Sequence, residues 1–150
     1  MEVKRTSSTD QDFISLVAFL DQDLADYDGD EHSFYDQYNK ITNIKYALVL
    51  YKGGHPVGCG AVKEFDRDSM EVKRMFVLKD FRGNGYSSII LSELEKWAAE
   101  LGYKRTVLET GKRQIPAVEL YKSKGYKQIE NYGQYAGVEN SICFEKSIIS

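Results

Sequence analysis

The sequence predicts a single α/β domain, residues 1–150, built on a mixed sheet of six or seven strands with helices on both faces. A length of 150 residues suits one compact domain. Short runs of β-forming residues separated by turn residues occupy residues 44–78, and helix and strand patterns alternate after them. Such an alternation predicts a parallel strand pair joined by a right-handed crossover helix, here within residues 70–109.

The first quarter of the chain predicts one strand and one amphipathic helix. Glu2–Thr6 forms the strand, and Thr9 or Asp10 is the N-cap of the helix. Apolar residues then recur at helical steps over residues 10–25, namely Phe13, Leu16, Val17, Leu20 and Leu24. Residues 26–43 predict an acidic turn followed by a short helix.

Three runs of β-forming residues predict the strands of an antiparallel meander, at Ile44–Tyr51, Pro56–Phe65 and Met70–Leu78. The Gly53-Gly54 pair between the first two is a strong hairpin signal. A long helix then ends at the C-capping Gly102. The remaining elements are a strand at 104–109, a helix from Pro116 to Gly125, and closing strands at 126–130 and 141–146.

Composition narrows the class of function. With 20 Lys and Arg against 23 Asp and Glu, the net charge of −3 argues against a nucleic-acid partner. Cys59, Cys143, His32 and His55 do not follow a zinc-ligand spacing, so no metal is expected. We expect no signal peptide, no membrane span and no membrane partner, and therefore a cytoplasmic protein with reduced thiols.

A glycine-rich loop at Arg82–Ser87 carries the strongest chemical signal. It stands between a strand and a helix, where free backbone N–H groups and the helix dipole favour a pyrophosphate. Glycines let the backbone approach phosphate oxygens, although an ordinary glycine-bearing turn has the same pattern. A Walker A loop is excluded because no Lys-Ser/Thr follows, and the dinucleotide fingerprint fails because position 88 is Ser.

The loop Arg82-Gly83-Asn84-Gly85-Tyr86-Ser87 resembles the Gln/Arg-x-x-Gly-x-Gly/Ala motif of the GCN5-related N-acetyltransferase (GNAT) superfamily. Lys73–Val77 looks like the central strand of that family, and Ala117–Tyr126 resembles its A-x-x-L-Y-x-x-x-G-F/Y motif. The agreement covers roughly residues 44–146. Ser87 departs from the usual Gly or Ala, and Gln114 stands where many members carry an Asn.

The resemblance implies a GNAT-like fold and an acetyl-CoA cosubstrate, with acetyl transfer to an amine and neither metal nor covalent intermediate. It places the pyrophosphate on the loop amides and the pantetheine arm along the central strand, where a backbone N–H polarises the thioester carbonyl. The residues so implied for cofactor binding are Met75, Phe76, Val77, Arg82, Gly83, Asn84, Gly85, Tyr86, Ser87 and Gln114.

Catalysis requires a base for the ammonium proton and an acid for the departing thiolate. Tyr121 matches the proton donor of the family, and the alternative is a ring that simply packs in the core. Glu71 and Glu109 are the leading bases because they lie on or near the ends of adjacent predicted strands. Each could instead be a solvated carboxylate, and His32 is a third option.

For the acceptor pocket we predict the acidic segment at 26–36, with Glu31, His32 and Tyr35, and the tyrosine-bearing loop at 132–135, with Tyr132 and Tyr135. Carboxylates attract cationic amines, and aromatic faces stabilise them. The predicted acceptor is a small-molecule amine. The alternatives are a protein Nα- or lysine acetyltransferase and a non-catalytic acyl-CoA-binding sensor. The resemblance also makes a homodimer reasonable.

Overall fold

In the computed structural model, the described part of the chain comprises residues 1–28 and 44–149. It contains seven strands, three α-helices and two 3₁₀ turns, at Lys79–Phe81 and Gly133–Tyr135. The helices are α1 (Gln11–Asp28), α2 (Tyr86–Glu100) and α3 (Ile115–Ser123). The strands are β1 (Glu2–Thr6), β2 (Tyr46–Lys52), β3 (His55–Asp66), β4 (Ser69–Val77), β5 (Arg105–Gly111), β6 (Lys127–Ile129) and β7 (Ser141–Ser147).

The hydrogen-bonded strand order is β1-β2-β3-β4-β5-β7-β6. Antiparallel ladders join β1 to β2, β2 to β3, β5 to β7 and β6 to β7. β4 and β5 run parallel, with α2 in the connection between them. The mixed sheet and the parallel strand–helix–strand unit are therefore confirmed. The acidic turn and short helix predicted for residues 26–43 lie outside the described residues, apart from residues 26–28, which continue α1 and do not form a turn.

The chain divides into two compact units. The first comprises residues 1–63 and 72–94, and the second comprises residues 64–71 and 95–150. The two units share β4, whose first three residues belong to the second unit and whose remainder belongs to the first. The single domain at 1–150 stays a prediction.

In the first unit, α1 begins where Asp10 caps it, because Asp10 Oδ1 accepts a 3.0 Å hydrogen bond from the Phe13 N–H. The apolar face of α1 then packs on side chains of β2 and β3. The cluster contains Phe13, Leu16, Val17 and Leu20 of the helix with Ala47, Val49, Cys59 and Ala61 of the strands. Because side chains alternate along a strand, this contact occupies one face of β3.

The opposite face of β3 carries Gly58 and Gly60, and α2 packs there. An added Cβ at Gly58 would lie 2.8 Å from Ile90 Cδ1, and one at Gly60 would lie 2.8 Å from Ile90 Cγ2 and Leu94 Cδ1. The missing side chains thus allow a close approach of helix to strand. Helices cover both faces of this unit, as predicted.

In the second unit, α3 packs on the face of β7 that carries Phe144. The Tyr121 ring lies 6.1 Å from the Phe144 ring and 5.7 Å, nearly edge-on, from that of Tyr126. Pro116 stands in the first turn of α3, where its missing N–H costs no intrahelical bond. β6 spans only Lys127–Ile129, shorter than the predicted strand at 126–130.

Candidate functional site

The glycine loop of the first unit is shaped by backbone conformation. Gly83 has φ of 82° and Gly85 has φ of 78°, both in the left-handed region that favours glycine. Among the described residues, no atom beyond the two chain neighbours lies within 4 Å of a Cβ placed at either position. Glycine is therefore required here by conformation rather than by crowding, and the space beside the loop is open.

α2 starts directly after this loop. Its first i→i−4 bond runs from the Ile89 N–H to the Gly85 carbonyl over 3.3 Å. The N–H groups of Tyr86, Ser87 and Ser88 precede that bond, at the positive end of the helix dipole. The first turn of α2 carries no acidic side chain. Loop and helix together present the donors and the field that a pyrophosphate requires.

The Arg82 guanidinium stabilises the glycine loop by contacts with β4 and α1. Its Nε donates to the Val77 carbonyl over 2.8 Å, and its Nη2 donates to Asp23 Oδ2 of α1 over 2.7 Å. The guanidinium also lies 5.4 Å from the centre of the Phe76 ring. Asn84 Nδ2 closes the loop by donating to the Phe81 carbonyl over 3.0 Å. Asp23 was missed by the sequence reasoning because its arginine partner lies 59 residues away.

β4 departs from regular extended geometry immediately before Met75–Val77, the stretch implied for the pantetheine arm. Arg74 has φ of 60°, which is rare for a residue with a side chain. Its buried guanidinium donates to Asp21 of α1 over 3.0 Å, and its carbonyl accepts from the Cys59 thiol. The parallel ladder of β4 with β5 covers residues 69–71, so Glu71 is its last paired residue on β4.

Strand register in the second unit brings the two predicted bases to one face. Glu71 pairs with Val107, and on the same strand Glu109 pairs with Cys143. Paired residues share a face, and so do residues two apart. Glu71 and Glu109 therefore project on the same side, together with Cys143. We call Glu71, Glu109, Tyr132, Tyr135 and Ser141 the carboxylate cluster.

Each carboxylate in this cluster receives a hydroxyl hydrogen bond. Tyr132 Oη donates to Glu71 Oε2 over 2.8 Å, and Ser141 Oγ donates to Glu109 Oε2 over 2.7 Å. Ser141 was missed by the sequence reasoning. Its position opposite Gly111, two residues from Glu109, appears only once the β5–β7 register is known.

Burial raises the pKa of both Tyr132 and Tyr135 well above the usual value for tyrosine. The neighbouring carboxylates add to the effect, Glu71 on Tyr132 and both Glu109 and Glu71 on Tyr135. An ionised phenol would be poorly hydrated there and would be repelled by the carboxylates. Both phenols therefore keep their protons, and Tyr132 serves as the hydrogen-bond donor to Glu71.

Burial also raises the pKa of the Cys143 thiol to about 11, with Glu109 and Glu71 opposing ionisation further. Burial likewise raises the pKa of the Cys59 thiol to about 12. A thiol attacks a thioester as its thiolate. Neither cysteine is ionised near neutral pH, so neither is suited to a covalent acetyl-enzyme intermediate.

Tyr121 lies near the end of α3 and is 6% exposed. It contacts Phe144, which pairs with Leu108 and so faces the side opposite Glu109. Burial raises its pKa above the usual value, and the Glu109 carboxylate adds to the rise. Tyr121 is thus a neutral phenol, the form that can donate a proton. Gln114 precedes α3, and its N–H donates to the Gly111 carbonyl over 3.0 Å.

Three of the predicted substrate residues, Glu31, His32 and Tyr35, lie outside the described residues. Within residues 1–28 and 44–149, no group of three or more His, Cys, Asp or Glu side chains is arranged to hold a metal ion. No helix in the described part of the chain has both the length and the apolar composition needed to cross a bilayer.

Comparison with known proteins gives a consistent result. A family model described as the acetyltransferase (GNAT) family matches residues 14–126. An IAA acetyltransferase of Azospirillum brasilense is 30% identical over 149 residues and 97% of each chain is covered. A solved acyl-CoA N-acyltransferase of Klebsiella pneumoniae matches with a TM-score of 0.82 at 25% identity, covering 99% of this chain and 97% of that one.

A further solved structure shares the fold. It is a GNAT family acetyltransferase of Elizabethkingia anophelis with acetyl-CoA bound. It matches with a TM-score of 0.71 at 17% identity, covering 97% of each chain.

Proposed function

The chain belongs to the GNAT acetyltransferase family, and on that premise we propose that it moves the acetyl group of acetyl-CoA to the primary amine of a small molecule. The observation that carries the amine half of the proposal is the carboxylate cluster. Two carboxylates, each held by a hydroxyl donor, project from one face of adjacent strands. Such a surface attracts a cationic amine and provides a group to accept its proton.

The donor half of the reaction uses the glycine loop. The N–H groups from Gly83 to Ser88 would hold the pyrophosphate, and backbone groups of Met75–Val77 would hold the pantetheine arm and polarise the thioester carbonyl. Acetyl-CoA supplies the activated acyl group when bound. Gln114 is assigned the amide contact that an Asn makes in many family members.

The acceptor half requires a neutral amine. Glu71 accepts the ammonium proton, and Glu109 stabilises the approaching cation by charge. The amine nitrogen then attacks the thioester carbonyl, a C–N bond forms, and the C–S bond breaks. Tyr121, held protonated by burial, gives its proton to the departing thiolate. The nitrogen loses its second proton to solvent as the amide forms, and solvent returns a proton to the Tyr121 phenolate. Because both thiols of the chain stay protonated, we assign direct attack rather than an acetyl-cysteine intermediate.

The test combines binding and turnover. Calorimetry with acetyl-CoA is followed by detection of free CoA thiol against small amines, lysine peptides and peptides with free N-termini. We expect binding and acceptor-dependent thiol release with small amines, which Glu71→Gln lowers about 100-fold. Release with peptides alone would assign the protein-acetyltransferase alternative. Binding without acceptor-dependent release would assign the sensor, and no binding would reject the transferase.

Two properties of the protein remain predictions that rest on the family resemblance and the composition. If the protein is a homodimer, sedimentation equilibrium should give about twice the monomer mass of 17.2 kDa. A cytoplasmic location predicts recovery of the protein with the cytoplasmic fraction of its native cells.

A further inference from the structure

The Tyr132 ring is held from two sides within the second unit. The Phe65 ring lies edge-on at 4.7 Å between centroids, with an interplanar angle of 61°. The Tyr135 ring lies edge-on at 5.9 Å, with an angle of 81°. Edge-to-face contacts at these distances are favourable and directional. These two contacts fix the orientation of the Tyr132 ring, and in that orientation its hydroxyl points at Glu71.

We propose that Tyr132 is a positioning residue for Glu71, which it holds in the orientation that accepts the proton of the acceptor amine. The inference rests on the proposed function, in which Glu71 is the base. Tyr132 Oη donates to Glu71 Oε2 over 2.8 Å, and Glu71 is only 9% exposed. A hydrogen bond to an ionised carboxylate is shorter and stronger than a neutral one, and it fixes the carboxylate plane.

The hydroxyl is suited to this task because it keeps its proton. Burial, followed by the charge of Glu71, raises the pKa of Tyr132 well above the usual value for tyrosine. Tyr132 therefore donates to the carboxylate and does not compete with it for the substrate proton. Within residues 1–28 and 44–149, the other titratable groups that interact with Glu71 or Tyr132 include Tyr135, Glu109 and Cys143, and the thiol and phenol among them are also protonated.

The loop that carries Tyr132 is fastened at its base. Asn131 Nδ2 donates to the carbonyls of Val138 and Ser141, each over 3.0 Å. Ser141 in turn donates its hydroxyl to Glu109. The hydrogen bonds at the base of this loop thus hold in place both Tyr132, the donor to Glu71, and Ser141, the donor to Glu109. Tyr132 is thereby held next to the sheet, and its contact with the substrate stays a prediction.

The test is Tyr132→Phe, which removes the hydroxyl and keeps the ring between its aromatic neighbours. We expect kcat to fall about 10-fold while the acceptor KM changes less than about 2-fold. Because the ionised carboxylate loses a donor, the acidic limb of the kcat/KM profile should move to higher pH. The matched control is Tyr103→Phe, which removes a phenol donated to Glu64 over 2.5 Å and should leave all three quantities unchanged.

A second readout does not depend on acetyl transfer. The crystal structure of the wild type should show the Glu71 carboxylate in the one orientation that accepts from Tyr132, whereas that of Tyr132→Phe should show it rotated or in several orientations. An unchanged carboxylate orientation in the variant would overturn the inference, as would a raised acceptor KM with an unmoved pH profile, which indicates substrate contact.

A changed orientation with an unmoved rate profile would show that Glu71 is not the base, which also overturns the positioning role. Failure of the proposed function has a different signature. In that case no amine releases thiol from acetyl-CoA with the wild-type protein, whereas the Glu71 carboxylate still changes orientation in Tyr132→Phe.

Discussion

Asp23 on α1 accepts a 2.7 Å hydrogen bond from Arg82, the first residue of the glycine loop. Arg82 is at the same time bonded to the Val77 carbonyl and lies over the Phe76 ring. Its guanidinium therefore ties the loop to the end of β4 and to α1. We propose on this geometry that Arg82 shapes the loop, and that the backbone N–H groups bind the pyrophosphate.

We predict that Asp23→Asn weakens acetyl-CoA binding about 2- to 5-fold, because the loop loses one brace. The effect is modest since both side chains are partly exposed, which limits the strength of the pair. Calorimetry at low salt measures it. Tighter binding in Asp23→Asn would contradict the prediction, since that outcome indicates an arginine released to bind phosphate directly. Asp68→Asn, which removes the partner of Lys104, is the control with unchanged binding.

Gly85→Ala should separate stability from cofactor binding. Gly85 has φ of 78°, and no atom of the described residues beyond its chain neighbours lies within 4 Å of the added Cβ. The cost of the substitution to folding is therefore backbone strain of about 1 kcal/mol, or about 3 °C in Tm. Gly53→Ala, with φ of 57° and equally open surroundings in the β2–β3 turn, should lose similar stability. Only Gly85→Ala should weaken acetyl-CoA binding, by about 10-fold or more. Equal affinities in the two variants would remove the loop from the cofactor site.

Tyr121→Phe should lower kcat about 100-fold and leave the acetyl-CoA dissociation constant nearly unchanged. Because the pKa of Tyr121 is raised, its phenol stays protonated up to at least about pH 10, so wild-type kcat should show no alkaline limb from Tyr121 below that pH. The comparison variant is Tyr126→Phe, whose hydroxyl bonds to Thr106 and Glu95. It should cost stability without lowering kcat. Full turnover by Tyr121→Phe would assign the ring to packing alone.

Glu109→Gln should raise the acceptor KM about 10-fold at low salt, and the effect should shrink as salt screens the charge. Ser141→Ala, which removes the hydroxyl donor of Glu109, should cause a smaller rise. Glu145→Gln is a matched control on β7, where Glu145 pairs with Arg105 over 2.6 Å. A KM for Glu109→Gln that is independent of salt would argue against recognition of a cationic amine.

Cys143 should be inert towards iodoacetamide at pH 8, since burial holds the pKa of its thiol at about 11. Cys143→Ala should retain turnover within about 2-fold, because the thiol forms no bond to the acetyl group in direct attack. Mass spectrometry after incubation with acetyl-CoA alone should find no acetylated Cys143. A covalent acetyl adduct that disappears on addition of amine would replace the direct mechanism with a two-step one.

Much of the fold could be predicted because the signals are local. The apolar spacing of α1, the Gly53-Gly54 turn and the glycine loop each depend on residues close in the chain, and the structure contains all three elements. The ends of the helices and strands could be predicted less closely than their presence. α1 extends to Asp28, three residues beyond the predicted end, since helix termini depend on packing and caps as well as on periodicity.

The sequence by itself determined which residue types were available for the chemistry: the glycines at 83 and 85, the carboxylates at 71 and 109, and the phenol at 121. Only the tertiary structure decided their partners. Tyr132 and Glu71 are 61 residues apart, and Asp23 and Arg82 are 59 apart. Strand register and helix packing bring such pairs together, and neither leaves a short-range pattern in the chain. Hydrogen bonds formed through this long-range packing therefore set the roles of side chains that the sequence could only propose.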